Sequence, residues 1–427
     1  MTTGATADRV AEALTDAHRH EWAYVLAATV RVTRDLDLAE ECTQEAYVGA
    51  LETWPRTGVP ARPGAWLTTA ARNKALDRLR RESVLRRKLP LLVEPDPADD
   101  LADDVATAMS EPGTAGVPDD RLRLIFTCCH PALAPDAQVA LTLRLVCGVA
   151  TPDVARAFLV PEATMAARIT RAKKKISTAR IPYRVPDSDE LPARLDAVLT
   201  TVHLLFSTGH TAPAGADLVR PDLCTRAVDL ARTLARLLPR AAEVRGLLGL
   251  LLLTDARRGS RTDPDGNLVL LAEQDRARWN PYAITEGLRH TAEALMSPDC
   301  GRFTLQAAIS GVHAVAVSSA DTDWPRIVVL YDRLLALWDS PVVALNRAVA
   351  VSFASGPEAG LALVDVLAED PRLAGYPYLP ATRADLLRRL ARFDDAAPAY
   401  REALRLTAND AEREFLQARL AEVLTRP

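Results

Sequence analysis

The sequence predicts an all-α protein, with two small helical domains followed by a long helical array. Three observations carry that expectation. Between Thr151 and Lys175 two short helical patterns flank a tight turn. The first ninety residues hold a pair of longer helical patterns joined by a Pro-rich loop. From about residue 190 onward the chain is rich in Ala, Leu and Arg, and apolar residues recur at helical spacing almost throughout.

In the first ninety residues, DLAEECTQEAYVGALETW presents Leu38, Cys42, Ala46 and Leu51 for packing, and Glu40, Glu41, Gln44 and Glu45 as an acidic, polar face. The loop PRTGVPARP leads to the helix GAWLTTAARNKALDRLRRES, which carries Trp66, Asn73, Lys74, Arg78, Arg80 and Arg81. An aromatic ring, an amide and several arginines on one helix can hold single-stranded DNA by stacking, base-edge hydrogen bonds and phosphate neutralisation. The same residues also describe a core tryptophan on a solvated basic helix.

Charge then reverses along the chain. Nine basic residues and two acidic ones lie between Arg62 and Lys88, whereas Leu89 to Asp120 holds nine carboxylates and no Lys or Arg. Such a segment buries little surface and reads as a flexible acidic linker. Its charge also suits a nucleic-acid mimic, with Asp99, Asp100, Asp103 and Asp104 at its centre.

After the linker, LRLIFTCCHPAL and AQVALTLRLVCGV read as two apolar helices leading into TPDVARAFLVPEATMAARITRAKKK. Thr151 is placed to cap the next helix and Pro152 to occupy its first position. Val154, Ala155 and Phe158 form its apolar face, and Leu159, Val160 and Pro161 the break. Met165, Ile169 and Ala172 then point one way. Thr164, Ala167, Arg168 and Arg171 point another, followed by Lys173, Lys174 and Lys175. One apolar face and one basic, hydroxyl-bearing face suit a recognition helix in the major groove. An ordinary surface hairpin with solvated charges would read similarly.

A second linker, IPYRVPDSDELP, spans about 181–192, so the expected domains are 1–88, 89–118, 119–182 and 183–427. Near the C-terminus there is self-similarity at 34 residues: Ala350, Ala384 and Ala418 align, as do Ala362 and Ala396. With Tyr400 and Ala403, the small residues of ATRADLLRRLARFDDAAPAYREALRL fit the tetratricopeptide (TPR) pattern, in which close-packed helix pairs stack into a solenoid.

Composition excludes much else. The net charge is −4, so any nucleic-acid surface must be local. No apolar run is long enough to span a bilayer and the N-terminus lacks a signal-peptide core, so a cytoplasmic protein with no membrane association is expected. Six scattered cysteines fit a reducing compartment. Cys128-Cys129-His130 has no second ligand pair at zinc-like spacing, so buried small side chains are expected there and no metal. Asp263-Pro-Asp-Gly-Asn lacks the later glutamate of a calcium loop and reads as a turn. Without a P-loop, HExxH or GxSxG, neither an enzyme nor a cofactor is expected.

Taken together, residues 18–180 resemble the sigma-70 family of RNA polymerase initiation factors, in its extracytoplasmic-function (ECF) type. AEECTQEAYVGALETW resembles the region-2 helix that docks on the β′ clamp helices of core RNA polymerase. PGAWLTTAARNKALDRLRRE resembles the segment that opens and reads the −10 element. LTLRLVCGVATPDVARAFLVPEATMAARITRAKKKI resembles region 4, which reads the −35 element and touches the β flap. The resemblance implies polymerase contacts by Glu41, Gln44 and Glu45. It implies −10 contacts by Trp66, Asn73, Lys74, Arg78 and Arg81. It implies −35 contacts by Thr164, Ala167, Arg168, Arg171, Lys173 and Lys174, with promoter DNA as a partner. Ala163 and Ala166 depart from the glycine and the polar residue frequent at those positions.

The stretches IFTCCHPAL, DLVRPDLCTRAVDLARTLARLLP, DTDWPRIVVLYDRLL and SPVVALNRAVAV resemble an ECF subgroup with a long helical, TPR-like C-terminal extension. LLFSTGH at 204–210 departs from that subgroup's Phe-Asn-Glu-Gly-Tyr pattern at Ser207, Thr208 and His210. The subgroup implies regulation through the extension, with a regulatory partner protein as a candidate. Two other readings fit parts of the chain: a helix-turn-helix regulator with a helical sensor domain, and a TPR scaffold.

Overall fold

The computed structural model describes residues 2–88, 120–158, 160–187 and 189–425, and the acidic segment read as a nucleic-acid mimic lies outside them. The chain is helical almost throughout and divides into two compact units between Thr201 and Val202. That division falls inside a helix, Leu191–His210.

In the N-terminal unit, α1 (Thr2–Thr33), α2 (Leu36–Thr57) and α3 (Pro63–Lys88) pack against one another. Asp35 starts α2 by accepting hydrogen bonds from the amides of Asp37 and Leu38 at 2.8 and 2.9 Å. The buried stripe of α2 is Ala39, Cys42, Ala46, Ala50 and Trp54, closed by Val25 of α1 and Leu67 and Ala71 of α3. Cys42 and Ala46 therefore pack as expected. Leu51 does not: it lies one position past Ala50, off the stripe, and is exposed, as is Val48. Glu40, expected on the solvated face, is buried.

After the acidic segment come α4 (Asp120–Cys128) and α5 (Pro135–Leu141), which widens into a π-helical turn over Thr142–Val146. The turn is marked by Cys147 N–H donating to Thr142 O at 2.9 Å, five residues back. Then α6 (Thr151–Ala157) and α7 (Glu162–Thr178) form the helix-turn-helix. Thr151 does not cap α6; it is the first helical residue, and the Ala150 carbonyl accepts from Asp153 and Val154 at 3.0 Å each. The whole helix start is shifted by one residue.

Within this unit, α1 joins the two halves. Trp22 Nε1 donates to Leu145 O at 3.0 Å, and Tyr183 Oη donates to Ala27 O at 3.0 Å. Gly148 sits at φ +67, and a Cβ there would come within 2.9 Å of the His18 ring and 3.0 Å of the Trp22 ring. Both the left-handed backbone and the close approach demand glycine at this contact.

In the C-terminal unit most helices pack on their neighbours in sequence, and Ala242–Asp255 also packs closely on Arg302–Val315, the second helix after it. The elements run α8 (Leu191–His210), α9 (Pro221–Leu237), α10 (Ala242–Asp255), α11 (Pro281–Leu295), α12 (Arg302–Val315), α13 (Trp324–Leu337), α14 (Pro341–Ala354), α15 (Pro357–Leu367), α16 (Tyr378–Arg389), α17 (Phe393–Leu406) and α18 (Asp410–Leu424). Glu243 of α10 satisfies the start of α12, accepting from the amides of Gly301, Phe303 and Thr304 at 2.9–3.1 Å. Ala384, Ala396, Tyr400 and Ala403 are all buried in the core that α16 and α17 share. Ala350 is buried too, whereas Ala362 and Ala418 are exposed, so the 34-residue register is not kept by the flanking helices. Two short parallel strands pair Ala214 with Ala408 and Gly215 with Asn409, tying the start of the unit to its end. Asp263 to Asn267 is a turn, with Asp263 Oδ1 accepting from the amides of Asp265 and Asn267.

Candidate nucleic-acid interface

Helix α7 divides as its periodicity dictates. Met165, Ile169, Ala172 and Ile176 are buried, while Thr164, Ala166, Ala167, Arg171 and Lys174 are exposed. Arg168 is partly buried, 3.5 Å from the Asp136 carboxylate, with its guanidinium 5.6 Å from the Phe158 ring centre. Arg171 donates to Ala167 O one turn back at 3.2 Å. Arg171 and Lys174 thus stand outward at a spacing suited to phosphates, beside Thr164 and Ala167.

Lys173 is placed differently from that exposed group. Its side chain is 9% exposed, and its ammonium lies 2.7 Å from Asp37 and 2.6 Å from Glu40, both on α2. Arg144, from the π-helical turn, binds the other oxygen of Glu40 and donates to Val149 O at 3.2 Å. One buried carboxylate therefore joins α2 to two cations more than a hundred residues away. Burial works to lower the basicity of Lys173, but Glu40 and Asp37 outweigh it and hold the ammonium above its usual value. Lys175 donates to Ala132 O.

A second charged layer links α2 to α3. Arg78 bridges Glu41, at 2.9 Å, and Glu45, and Lys74 meets Glu45 at 3.2 Å. Burial pushes the Glu45 carboxyl up, and the hydrogen bonds from Lys74 and Arg78 reverse that and leave it below its usual value. The acidic residues expected to meet polymerase and two of the cations expected to meet DNA thus pair with each other. Asn73 and Arg81 remain exposed on α3, and Gln44 is exposed on α2 while donating to Glu40 at 3.2 Å. Trp66 packs edge-on against Trp54, with ring centres 5.6 Å apart, and is only partly exposed, so much of the ring belongs to the core.

Spacing on α2 adds two residues that charge alone did not single out. Glu41, Gln44, Val48 and Leu51 recur at three- and four-residue intervals, and both apolar members are more than half exposed. This is an amphipathic strip without a partner among the described residues, beside the carboxylates. Asp37, Glu40 and Arg144 were also missed. A carboxylate on a helix reads as solvated until the cation that buries it is known.

Cys128 and Cys129 are buried, with Cys129 Sγ 3.4 Å from Thr142 Oγ1. Burial raises both thiols above their usual range. No group of His, Cys, Asp and Glu suited to a metal ion occurs among the described residues, and no described helix is long and apolar enough to cross a membrane.

Comparison with known proteins matches three stretches to family profiles. Residues 19–84 match Sigma-70 region 2, residues 123–176 match Sigma-70 region 4, and residues 194–295 match a family of unknown function, DUF6596. An uncharacterised protein of Rhizobium meliloti is 43% identical over 406 residues, covering 94% of each chain. The ECF RNA polymerase sigma factor SigK of Mycobacterium tuberculosis and its counterpart in Mycobacterium bovis are 28% identical over 170 residues, covering 38% of this chain and 83% of theirs. No solved structure matches the chain.

Proposed function

Because this chain belongs to the sigma-70 family, in its ECF type with a C-terminal helical extension, we propose how its surfaces divide the work of initiation. The strip Glu41, Gln44, Glu45, Val48 and Leu51 on α2 docks on the clamp helices of core RNA polymerase. The −10 element is held by α3 through Asn73, Lys74, Arg78 and Arg81, with Trp66 at the edge of the site. The −35 element is read by α7 through Thr164, Ala167, Arg168, Arg171 and Lys174. The observation that carries this reading is the exposed apolar pair Val48 and Leu51 set beside carboxylates on the same helical face, a surface built for a protein partner.

Lys173 enters this scheme as a latch. In the free chain it holds α7 to α2 through Asp37 and Glu40. Groove binding by Lys173 requires those bonds to open, and polymerase, by taking the neighbouring face of α2, is the partner placed to open them. The C-terminal unit modulates this activity, and the protein works in the cytoplasm, where its polymerase is.

A core-polymerase pull-down tests the docking. The full chain is expected to bind core polymerase tightly and isolated duplex DNA poorly. Strong operator binding without polymerase would instead favour a helix-turn-helix repressor. Asn73→Ala is expected to impair −10 opening with polymerase binding intact, and Arg168→Ala to weaken −35 dependence by about 1–3 kcal/mol. Loss of polymerase binding in the Asn73 variant would overturn the assignment of α3. Modulation is tested by ending the chain after His210, which keeps Arg194 on Phe126 O and Thr201 on Gln138. Unchanged transcription would remove the C-terminal unit from the account.

A further inference from the structure

The C-terminal unit carries an open cavity of about 850 Å³, within the size range of small-molecule sites. Its walls come from segments far apart in sequence: His203 to Pro213, Leu250 to Arg261, Leu345 and Asn346, Tyr376 to Thr382, and Leu406 to Glu412. The charge in these walls is unbalanced. Two arginines, Arg257 and Arg261, face it with two histidines, and Glu412 is the one carboxylate among the described lining residues.

The two arginines are held differently. Arg261 is 8% exposed and committed to protein, donating to His210 O and, at 3.0 Å, to Thr211 Oγ1. The guanidinium of Arg257 lines the same cavity with no hydrogen-bond or ion-pair partner among the described residues. Glu412 does not supply one: its carboxylate accepts from Tyr378 Oη at 2.7 Å and its charge acts on Arg261 instead. Burial, and then the charge of Arg261, lower the basicity of Arg257 to about 10, the direction expected of a cation without a counterion. His210 stacks on Phe206 and has a buried Nδ1 without a hydrogen-bond partner.

We propose that this cavity is a binding site for a metabolite-sized organic anion, whose carboxylate or phosphate pairs with the free fork of Arg257. A guanidinium fork matches either group in bidentate fashion, and Tyr376 and Tyr378 give the rest of the ligand an aromatic wall. Ser207 and His210, two of the positions where the 204–210 stretch departs from its subgroup pattern, also line the cavity, so those departures fall on the ligand's surroundings. The site stands on the C-terminal unit's own geometry and is independent of the assignments made for α2, α3 and α7.

Calorimetric titration of the full chain with citrate and with inorganic phosphate, at constant ionic strength and up to about 20 mM, tests it. Saturable binding of at least one anion is expected, and which one binds better distinguishes a carboxylate ligand from a phosphate. Arg257→Met is expected to weaken that binding at least about tenfold, and Glu412→Gln to tighten it. The exposed Arg240→Met is expected to leave it unchanged. Thermal unfolding supplies a second readout: without anion Arg257→Met should be at least as stable as the parent, and citrate or phosphate should stabilise the parent alone. Absence of saturable binding to both anions would overturn the proposal. So would equal binding by the Arg257→Met chain, or binding only of an acidic peptide.

Discussion

Lys173 in the N-terminal unit and Arg257 in the C-terminal unit are both cations drawn away from solvent, and they are satisfied in opposite ways. Lys173 sits between two carboxylates from another helix, and its burial fastens α7 to α2. Arg257 faces a cavity and pairs with no carboxylate among the described residues. A compensated buried charge fixes one arrangement of the chain, because removing either partner strands the other in a poor solvent for ions. An uncompensated one leaves a standing cost that a ligand of opposite charge relieves. The first belongs to a contact made within the protein, and the second to a contact the protein is prepared to make.

If that distinction holds, substitutions at the two sites act with opposite sign. Glu40→Ala leaves Lys173 and Arg144 facing each other without their shared carboxylate, and is expected to destabilise the N-terminal unit by about 3–5 kcal/mol in denaturant unfolding. Acid should act on the C-terminal unit instead. His203 and His313 are each depressed to about 4, by burial first and then by nearby arginines: Arg302 for His203, Arg257 and Arg276 for His313. The unfolded chain therefore takes up protons below about 6.5 that the folded unit refuses. Stability is complete above that pH and falls as pH drops toward 4, by on the order of 2–3 kcal/mol for each histidine. A melting temperature of the C-terminal unit that stays level between pH 7 and pH 4.5 would contradict this. Gly148→Ala, which strains a left-handed residue against His18 and Trp22, should cost about 2 kcal/mol and loosen the contact that α1 makes there. Smallest and opposite in sign, Arg257→Met should raise the anion-free stability of the C-terminal unit by about 1 kcal/mol.

How far the sequence reaches follows from what periodicity can carry. It placed the apolar face of α7, because Met165, Ile169 and Ala172 share one side of a helix whatever packs there. It also placed the two-helix motif, the turn at Asp263 and the close pairing of α16 with α17. It misplaced Leu51 and Glu40, since the real stripe of α2 is built of small residues ending in Trp54, and Ala at a core position looks like Ala anywhere. The partners of Glu40 lie 104 and 133 residues away, and nothing in a local pattern points to them. The cavity around Arg257 was illegible for the same reason, because its walls are drawn from positions 203 to 412. Charge pattern did suggest that Glu41, Glu45, Lys74 and Arg78 were special. It could not show that they meet each other across α2 and α3.

Run-off transcription with core polymerase puts the whole account to its most direct trial. With the full chain added to core enzyme on a promoter fragment, a discrete transcript should appear that neither component gives alone, and Asn73→Ala should reduce it while leaving the polymerase complex intact. A chain that binds duplex DNA by itself and gives no transcript with core polymerase would contradict the account.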